Sequence, residues 1–177
     1  MASFFGVLIT LCLGLTLATG PASGQETREE QVERRSDWVA QCTSAGRDAP
    51  ADCALEQRLV VTESDNQLGV HAGDVLGAVK IRVPAEPRKA TMMLQVPPNL
   101  FLPAGVTLRV DDGRALQLPL QTCDARGCYA GLPVSADLLE SLKKGSRLHL
   151  AIQTVRRDKI DIIVPLKGFT AGYQKIK

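Results

Sequence analysis

Two histidines, His71 and His149, limit the acid–base and metal chemistry that this chain can perform. Any histidine-based site must use both or recruit carboxylates. His71 and Asp74 lie close together in a glycine-rich segment, so a hydrolase that uses this pair is one possible reading. We expect a local turn there instead, and a surface position for His149 on the outward face of a strand.

Other enzyme signatures are missing from the sequence. There is no G-x-S-x-G elbow of the hydrolase type and no phosphate-binding glycine loop. Asp111 and Asp112 are adjacent, and adjacent side chains on an extended segment point apart, so they do not form a glycosidase pair. We therefore predict no enzyme, no catalytic residue, no cofactor and no metal site.

The cysteines predict disulfides. Cys12 lies in an apolar N-terminal segment that we expect to be removed, which leaves Cys42, Cys53, Cys123 and Cys128. An even number suits an oxidising compartment, and four cysteines allow three pairings. The short spacings favour Cys42 with Cys53 and Cys123 with Cys128. A redox or zinc site is the alternative, but neither spacing is typical of one.

The N-terminal region has the pattern of an export signal. No charged residue precedes Glu26, residues 4–18 are largely apolar, and small residues follow. We predict a signal peptide over residues 1–24, a flexible charged leader over 25–36 and a single β-sandwich domain over 37–177. A transmembrane anchor is the alternative, although about 20 apolar residues are needed to cross a bilayer. We expect no transmembrane segment in the mature chain.

Short alternating runs separated by Gly, Pro and Asp predict a mainly β fold. The runs are Trp38–Cys42, Ala54–Thr62, Val75–Val83, Thr91–Val96, Val106–Val110, Ala115–Leu120, Arg147–Val155 and Lys159–Pro165. This spacing favours an antiparallel two-sheet sandwich, immunoglobulin-like, with a barrel as the alternative.

Local signals place the turns, the helix and the aromatic anchors. In Asp111-Asp112-Gly113 we expect Gly113 to supply the positive φ of a hairpin turn between neighbouring strands. One short helix is predicted near residues 135–144, capped by Ser135 and ended by Gly145. The single tryptophan, Trp38, is predicted to be a core residue near the first disulfide, with Phe169 as its C-terminal counterpart.

Charge is uneven along a chain whose net charge is only +2. Nine basic and two acidic residues from position 143 onward give +7, which leaves −5 for the rest. We predict a hairpin over Arg147–Pro165 with Arg156, Arg157 and Lys159 at its tip, as a possible contact for an anionic partner. The simpler reading is a solvated turn. The weak basic excess does not favour nucleic acid.

Several segments together resemble a known family. They are Asp37-Trp38-Val39 leading to Cys42, Cys53-Ala-Leu-Glu-Gln57, Leu102-Pro103-Ala104-Gly105-Val106, Gly127-Cys128-Tyr129-Ala130 and Pro165-Leu166-Lys167-Gly168-Phe169. In this order they are similar to the invasion-associated locus B family of bacterial envelope proteins. The resemblance implies an exported β-sandwich protein, named for host-cell entry by a pathogenic member, with no enzyme activity, catalytic residue or cofactor.

These observations lead to one functional expectation. We expect a non-enzymatic binding module in the periplasm or cell envelope, whose partner is an envelope protein or an anionic surface component. The alternatives are the hydrolase with His71 and Asp74, and a periplasmic chaperone or inhibitor that offers a sheet edge to its partner.

Overall fold

The computed structural model describes residues 38–44, 46–47, 49–62 and 70–177. The predicted signal peptide with Cys12, the charged leader and Asp37 at the predicted domain start lie outside the described residues.

Ten strands make up most of the fold. They are β1 Val39–Ser44, β2 Ala51–Val60, β3 Val75–Val83, β4 Thr91–Val96, β5 Val106–Val110, β6 Leu116–Leu118, β7 Thr122–Asp124, β8 Gly127–Pro133, β9 Arg147–Gln153 and β10 Lys159–Pro165. Two short helices, α1 Ala136–Lys144 and α2 Phe169–Gln174, and a 3-10 turn at Leu102–Ala104 complete it.

The strands form two antiparallel sheets, which confirms the predicted sandwich. One sheet has six strands in the order β1-β2-β3-β4-β8-β7, and the other has four in the order β10-β9-β5-β6. The larger of two clusters of buried side chains draws on both sheets, with fully enclosed members such as Leu55, Leu94, Leu108 and Leu150.

The alternation of residues along β9 shows why the sheets pack in this way. Leu148, Leu150 and Ile152 are buried, while the residues between them face outward. Successive side chains of a strand point to opposite faces, so one face enters the core and the other meets water.

Strand prediction succeeded where alternation was clear and failed near the second cysteine pair. Four predicted runs, β3, β4, β5 and β10, match the observed bounds, and the others shift or shorten by a few residues. β7 and β8 were missed because Thr122–Asp124 is short and exposed, and because β8 contains two glycines and ends at Pro133. Such residues are depleted in strands.

Both predicted local disulfides are present. Cys42 bonds to Cys53 and Cys123 bonds to Cys128. Each joins residues directly opposite on neighbouring strands, β1 with β2 and β7 with β8. The disulfides therefore fix the two outermost strands of the six-stranded sheet to their neighbours.

Helix α1 confirms the predicted short helix and its caps. The Ser135 hydroxyl accepts a hydrogen bond from the Leu138 N–H, and Asp137 lies in the first turn. Gly145 ends the helix, but its φ of −75° is open to any residue. Glycine is needed for space, since a Cβ there would lie 2.3 Å from Val110 Cγ1.

Helix α2 was not predicted, although its first residue, Phe169, was named as an anchor. Phe169 is fully buried, and its ring meets that of Trp38 edge-on with centroids 5.0 Å apart. The Trp38 indole N–H donates to the Pro165 carbonyl at 3.1 Å. Trp38 thus packs against the core, half-buried rather than fully enclosed, and joins the start of β1 to the end of β10.

The predicted turn between β5 and β6 exists, but its geometry corrects one expectation. Asp111, and not Gly113, takes the positive φ, at 44°. The Asp111 carboxylate accepts hydrogen bonds from the backbone N–H groups of Ser146 and Arg147, both at 2.9 Å. These bonds hold the turn against the start of β9, which explains an aspartate at a strained backbone position.

Replacing Trp38 tests the contact at the helical end of the sandwich. Trp38→Ala should lower the free energy of unfolding by about 2 to 4 kcal/mol, because it removes a large ring packed on Phe169. Trp38→Phe keeps an aromatic ring but loses the hydrogen bond to Pro165. The lost hydrogen bond should lower the free energy of unfolding by about 1 kcal/mol, in addition to the effect of the smaller ring. Chemical denaturation measures both. Equal stability of Trp38→Ala and wild type would contradict the prediction.

Asp111 should make folding stability depend on acid pH. The N–H of Ser146, followed by that of Arg147, lowers the pKa of Asp111 below its ordinary value of 3.8. A carboxyl group whose pKa is lower in the folded than in the unfolded state stabilises the protein at pH values above its unfolded-state pKa. This stabilisation is lost as the pH falls through the folded-state pKa. Asp111→Asn, which tolerates the positive φ, should be less stable than wild type at pH 6, and the difference should shrink below about pH 3.8. Denaturation at several pH values measures this, with the exposed Asp112→Asn as the control.

Candidate functional site

The β9–β10 hairpin ends in a turn that carries the predicted basic cluster. Gln153 pairs with Lys159 at the last position of the ladder, and residues 154–158 connect the strands. The tip turn is here this connection together with Lys159, residues 154–159. This confirms the predicted hairpin and places Arg156, Arg157 and Lys159 at its exposed end.

Buried Thr154 holds the tip turn in one conformation. Its hydroxyl oxygen accepts hydrogen bonds from the N–H groups of Arg156 and Asp158 at 3.2 and 3.3 Å. Its own N–H donates to the Asp158 carbonyl, and its carbonyl accepts from the Arg157 N–H. The basic side chains therefore project from an ordered turn, in which Arg157 takes a φ of 72°.

A second segment, residues 97–104, lies against this turn and is here the proline loop. The Phe101 N–H donates to the Gln153 carbonyl, Leu100 bridges to Thr154, and the Val155 N–H donates to the Asn99 carbonyl. The proline loop and the tip turn thus form one surface at the same end of the four-stranded sheet.

The side chains of this surface are both cationic and apolar. The Arg157 guanidinium lies over the Phe101 ring, 3.9 Å from its centroid. Val155 is 64% exposed and Leu102 is 53% exposed. Within the described part of the chain, no carboxylate is within ion-pair distance of Arg156 or Lys159.

The structure does not gather the whole basic C-terminal third on one surface. Arg147 begins β9 and Pro165 ends β10, so Lys143, Lys144 and Lys167 lie beside the helices, at the end of the hairpin opposite its tip. Seven residues of strand separate the two ends by roughly 20 Å. That distance exceeds the Debye length of about 8 Å at physiological salt, so the two clusters act separately.

His71 and Asp74 form a turn, as expected, and the Asp74 carbonyl accepts from the Val61 N–H at 2.9 Å, which ties the turn to the end of β2. The Asp74 carboxylate accepts from the His71 backbone N–H at 2.7 Å, and the Asp74 N–H donates to the His71 carbonyl. Both side chains are largely exposed, with His71 Nδ1 3.6 Å from Asp74 Oδ2. Each hydrogen bond serves the turn.

His149 is more enclosed than the predicted surface position. It lies on the outward face of β9, but its side chain is only 13% exposed, and Nδ1 is 2.7 Å from Asp161 Oδ2 on β10. Its register partners are Arg109 on β5 and Ile163 on β10, so long side chains of both neighbouring strands surround it. On the outer face of a sheet, side chains of both neighbouring strands cover a residue of a central strand. Strand alternation alone does not predict this cover.

The described residues contain no group of three or more His, Cys, Asp or Glu side chains placed to hold a metal ion. Within the same ranges, no helix has the length and apolar character needed to span a membrane.

The sequence predicts the basic residues of the tip turn but not the apolar residues of the proline loop beside them. Phe101 and Leu102 are more than fifty residues away from Val155 in the chain, and the hydrogen bonds between the proline loop and the end of the β9–β10 hairpin bring them together. The one available signal was Val155 itself, an apolar residue directly before two arginines at a predicted turn.

Comparisons with known proteins identify a family model and relatives that are similar to this chain in sequence. A sequence model of the family described as "Invasion associated locus B (IalB) protein" matches residues 38–177. Proteins named Invasion protein B homologs from two Brucella abortus strains, 2308 and 9-941 of biovar 1, are each 26% identical over 155 residues. The alignment covers 87% of this chain and 82% of each homolog.

A solved structure shares the fold. The crystal structure of invasion associated protein b from Bartonella henselae is similar with a TM-score of 0.64 and 19% sequence identity, over 80% of this chain and 93% of that one. The family match covers both sheets and both disulfides. This chain belongs to the invasion associated locus B protein family.

Proposed function

We propose that this protein is exported to the periplasm or cell envelope and acts there as a non-enzymatic binding module for an anionic surface component. The contact is made by the tip turn with Arg156, Arg157 and Lys159. An invasion-associated role, as in the names of its relatives, is part of this proposal and would be a specialised use of envelope binding.

The observation that carries the proposal is the arrangement of cations on the tip turn. Three basic side chains and one acid, Asp158, give this turn a local charge of +2, counted as 3 minus 1. The turn is held by Thr154, so its charges are presented without the entropy cost of ordering a loose loop. Charges on an exposed rigid turn bind anions by local attraction, which weakens as salt rises.

Two features support export. The apolar N-terminal segment has the order of a signal peptide. The two disulfides join strand pairs and are stable in an oxidising compartment, where such bonds form and persist.

The structure favours the tip turn over the two alternatives. For the hydrolase, the hydrogen bonds of His71 and Asp74 serve a local turn. For partner binding by strand addition, the available sheet edges are β1, β7, β6 and β10. β1 lacks charge and is mostly exposed, but an edge alone does not specify a partner. The tip turn adds charge and so selects a class of ligand.

Charge reversal at the tip should abolish most anion binding. The double variant Arg156→Glu and Lys159→Glu is expected to weaken binding to purified lipopolysaccharide and to dextran sulfate by roughly tenfold or more, because two attractions become repulsions. Wild-type affinity should fall steadily as salt is raised. Titration by light scattering or calorimetry measures both effects.

The matched control is Lys167→Glu with Lys177→Glu, which makes the same change in net charge at exposed positions away from the tip. It should keep most of the wild-type affinity. Similar losses in both double variants would mean that total charge, and not the tip turn, determines binding. Unchanged affinity of the tip variant would refute the proposed contact.

A further inference from the structure

We propose that the tip turn and the proline loop together form a membrane-contact surface. In this arrangement Val155 and Leu102 enter the apolar boundary of a bilayer that contains anionic lipids, and the tip cations pair with the headgroups. The inference rests on the proposed function and deepens it, because it assigns the anionic component to a lipid bilayer.

Few large apolar side chains are exposed among the described residues, and their location is informative. Among the described residues, four large hydrophobic side chains are exposed, Val39, Met93, Leu102 and Val155. Val39 and Met93 lie on separate strands of the six-stranded sheet, with two strands between them. Leu102 and Val155 lie on segments that are hydrogen-bonded to each other, so they share one end of the molecule.

Backbone hydrogen bonds fix both apolar residues on the outside of the fold. The Val155 N–H donates a hydrogen bond to the Asn99 carbonyl. Leu102 begins a 3-10 turn, and the Leu102 carbonyl accepts a hydrogen bond from the Gly105 N–H. Thr154, directly before Val155, and Leu100, two residues before Leu102, are buried. Neither exposed side chain can turn inward without breaking this arrangement, so water or a partner must cover it.

The cations lie next to these apolar groups. Arg157 lies over the Phe101 ring, which places a guanidinium directly on an apolar side chain. Arg156 follows Val155 in the chain, and Lys159 ends the tip turn as the first residue of β10. At a bilayer surface, long basic side chains reach the headgroups while their neighbours contact acyl chains.

The combination favours a bilayer over a soluble anion. A sulfated or phosphorylated glycan in water satisfies the cations but offers no apolar phase for Val155 and Leu102. An uncharged membrane covers the apolar pair but leaves the cations without partners. A bilayer with anionic lipids satisfies both sets of side chains at once, because charge attraction and apolar burial act together at an interface.

The test removes the apolar groups while keeping every charge. The double variant Val155→Ser and Leu102→Ser is compared with Val39→Ser and Met93→Ser, the other exposed pair. Binding is measured by co-sedimentation with phosphatidylcholine vesicles that contain phosphatidylglycerol, and separately by titration with dextran sulfate. Circular dichroism and thermal melting establish that each variant is folded.

The Val155→Ser and Leu102→Ser double variant should bind vesicles roughly tenfold more weakly than wild type and should bind dextran sulfate equally well. The Val39→Ser and Met93→Ser double variant should change neither binding. If the first double variant binds vesicles as well as wild type does, the membrane contact is overturned, while the proposed anion binding stands. A different result would refute the proposed function itself: charge reversal at Arg156 and Lys159 that leaves dextran sulfate binding unchanged.

A spectroscopic variant gives an independent readout. Val155→Trp in a Trp38→Phe background places the only tryptophan of the chain on the tip turn. Its emission should shift to the blue with vesicles containing phosphatidylglycerol and should not shift with dextran sulfate. An unshifted spectrum under conditions where the protein sediments with vesicles would show that the tip stays in water, and would overturn the inference.

Discussion

The pairing of β9 with β10 sets the positions of the two ends of the sandwich. Its register runs without interruption from Lys159 opposite Gln153 to Pro165 opposite Arg147. This register puts Leu150 and Ile162 opposite each other in the core. It also sends the tip turn to one end of the sandwich and both helices to the other, so a shift of one residue would expose the core face.

The two ends of this hairpin have different physical roles. At the helical end, the aromatic contact between Trp38 and Phe169 and the hydrogen bonds of Asp111 tie β1, β5, β9 and β10 together. At the tip end, the backbone of residues 154–158 is held by Thr154, and the side chains face outward. The helical end thus carries the aromatic contact and the Asp111 hydrogen bonds, while the tip end presents exposed side chains.

The disulfides and the basic residues lie in different parts of the fold. The disulfides secure β1 and β7, the outermost strands of the six-stranded sheet, so neither sheet edge depends on the core alone. The basic residues of the C-terminal third divide between the helices and the tip, and screening makes these two groups independent over roughly 20 Å. Among the described residues, the exposed Val155 lies directly before Arg156 and Arg157 of the tip group.

Local patterns in the sequence predict the strands with clear alternation, the helix after Ser135, both disulfides and the hairpin that carries Arg156, Arg157 and Lys159. These features depend on neighbours in the chain, where side-chain period, capping and loop length act directly. Contacts between distant segments set the enclosure of His149, the positive φ at Asp111 rather than Gly113, and the meeting of Phe101 with Arg157. They also set the packing of helix α2, where a Cβ on Gly172 would lie 2.6 Å from Leu55 Cδ1. Each of these depends on segments far apart in sequence, whose contact is set by sheet packing, and no local pattern records it.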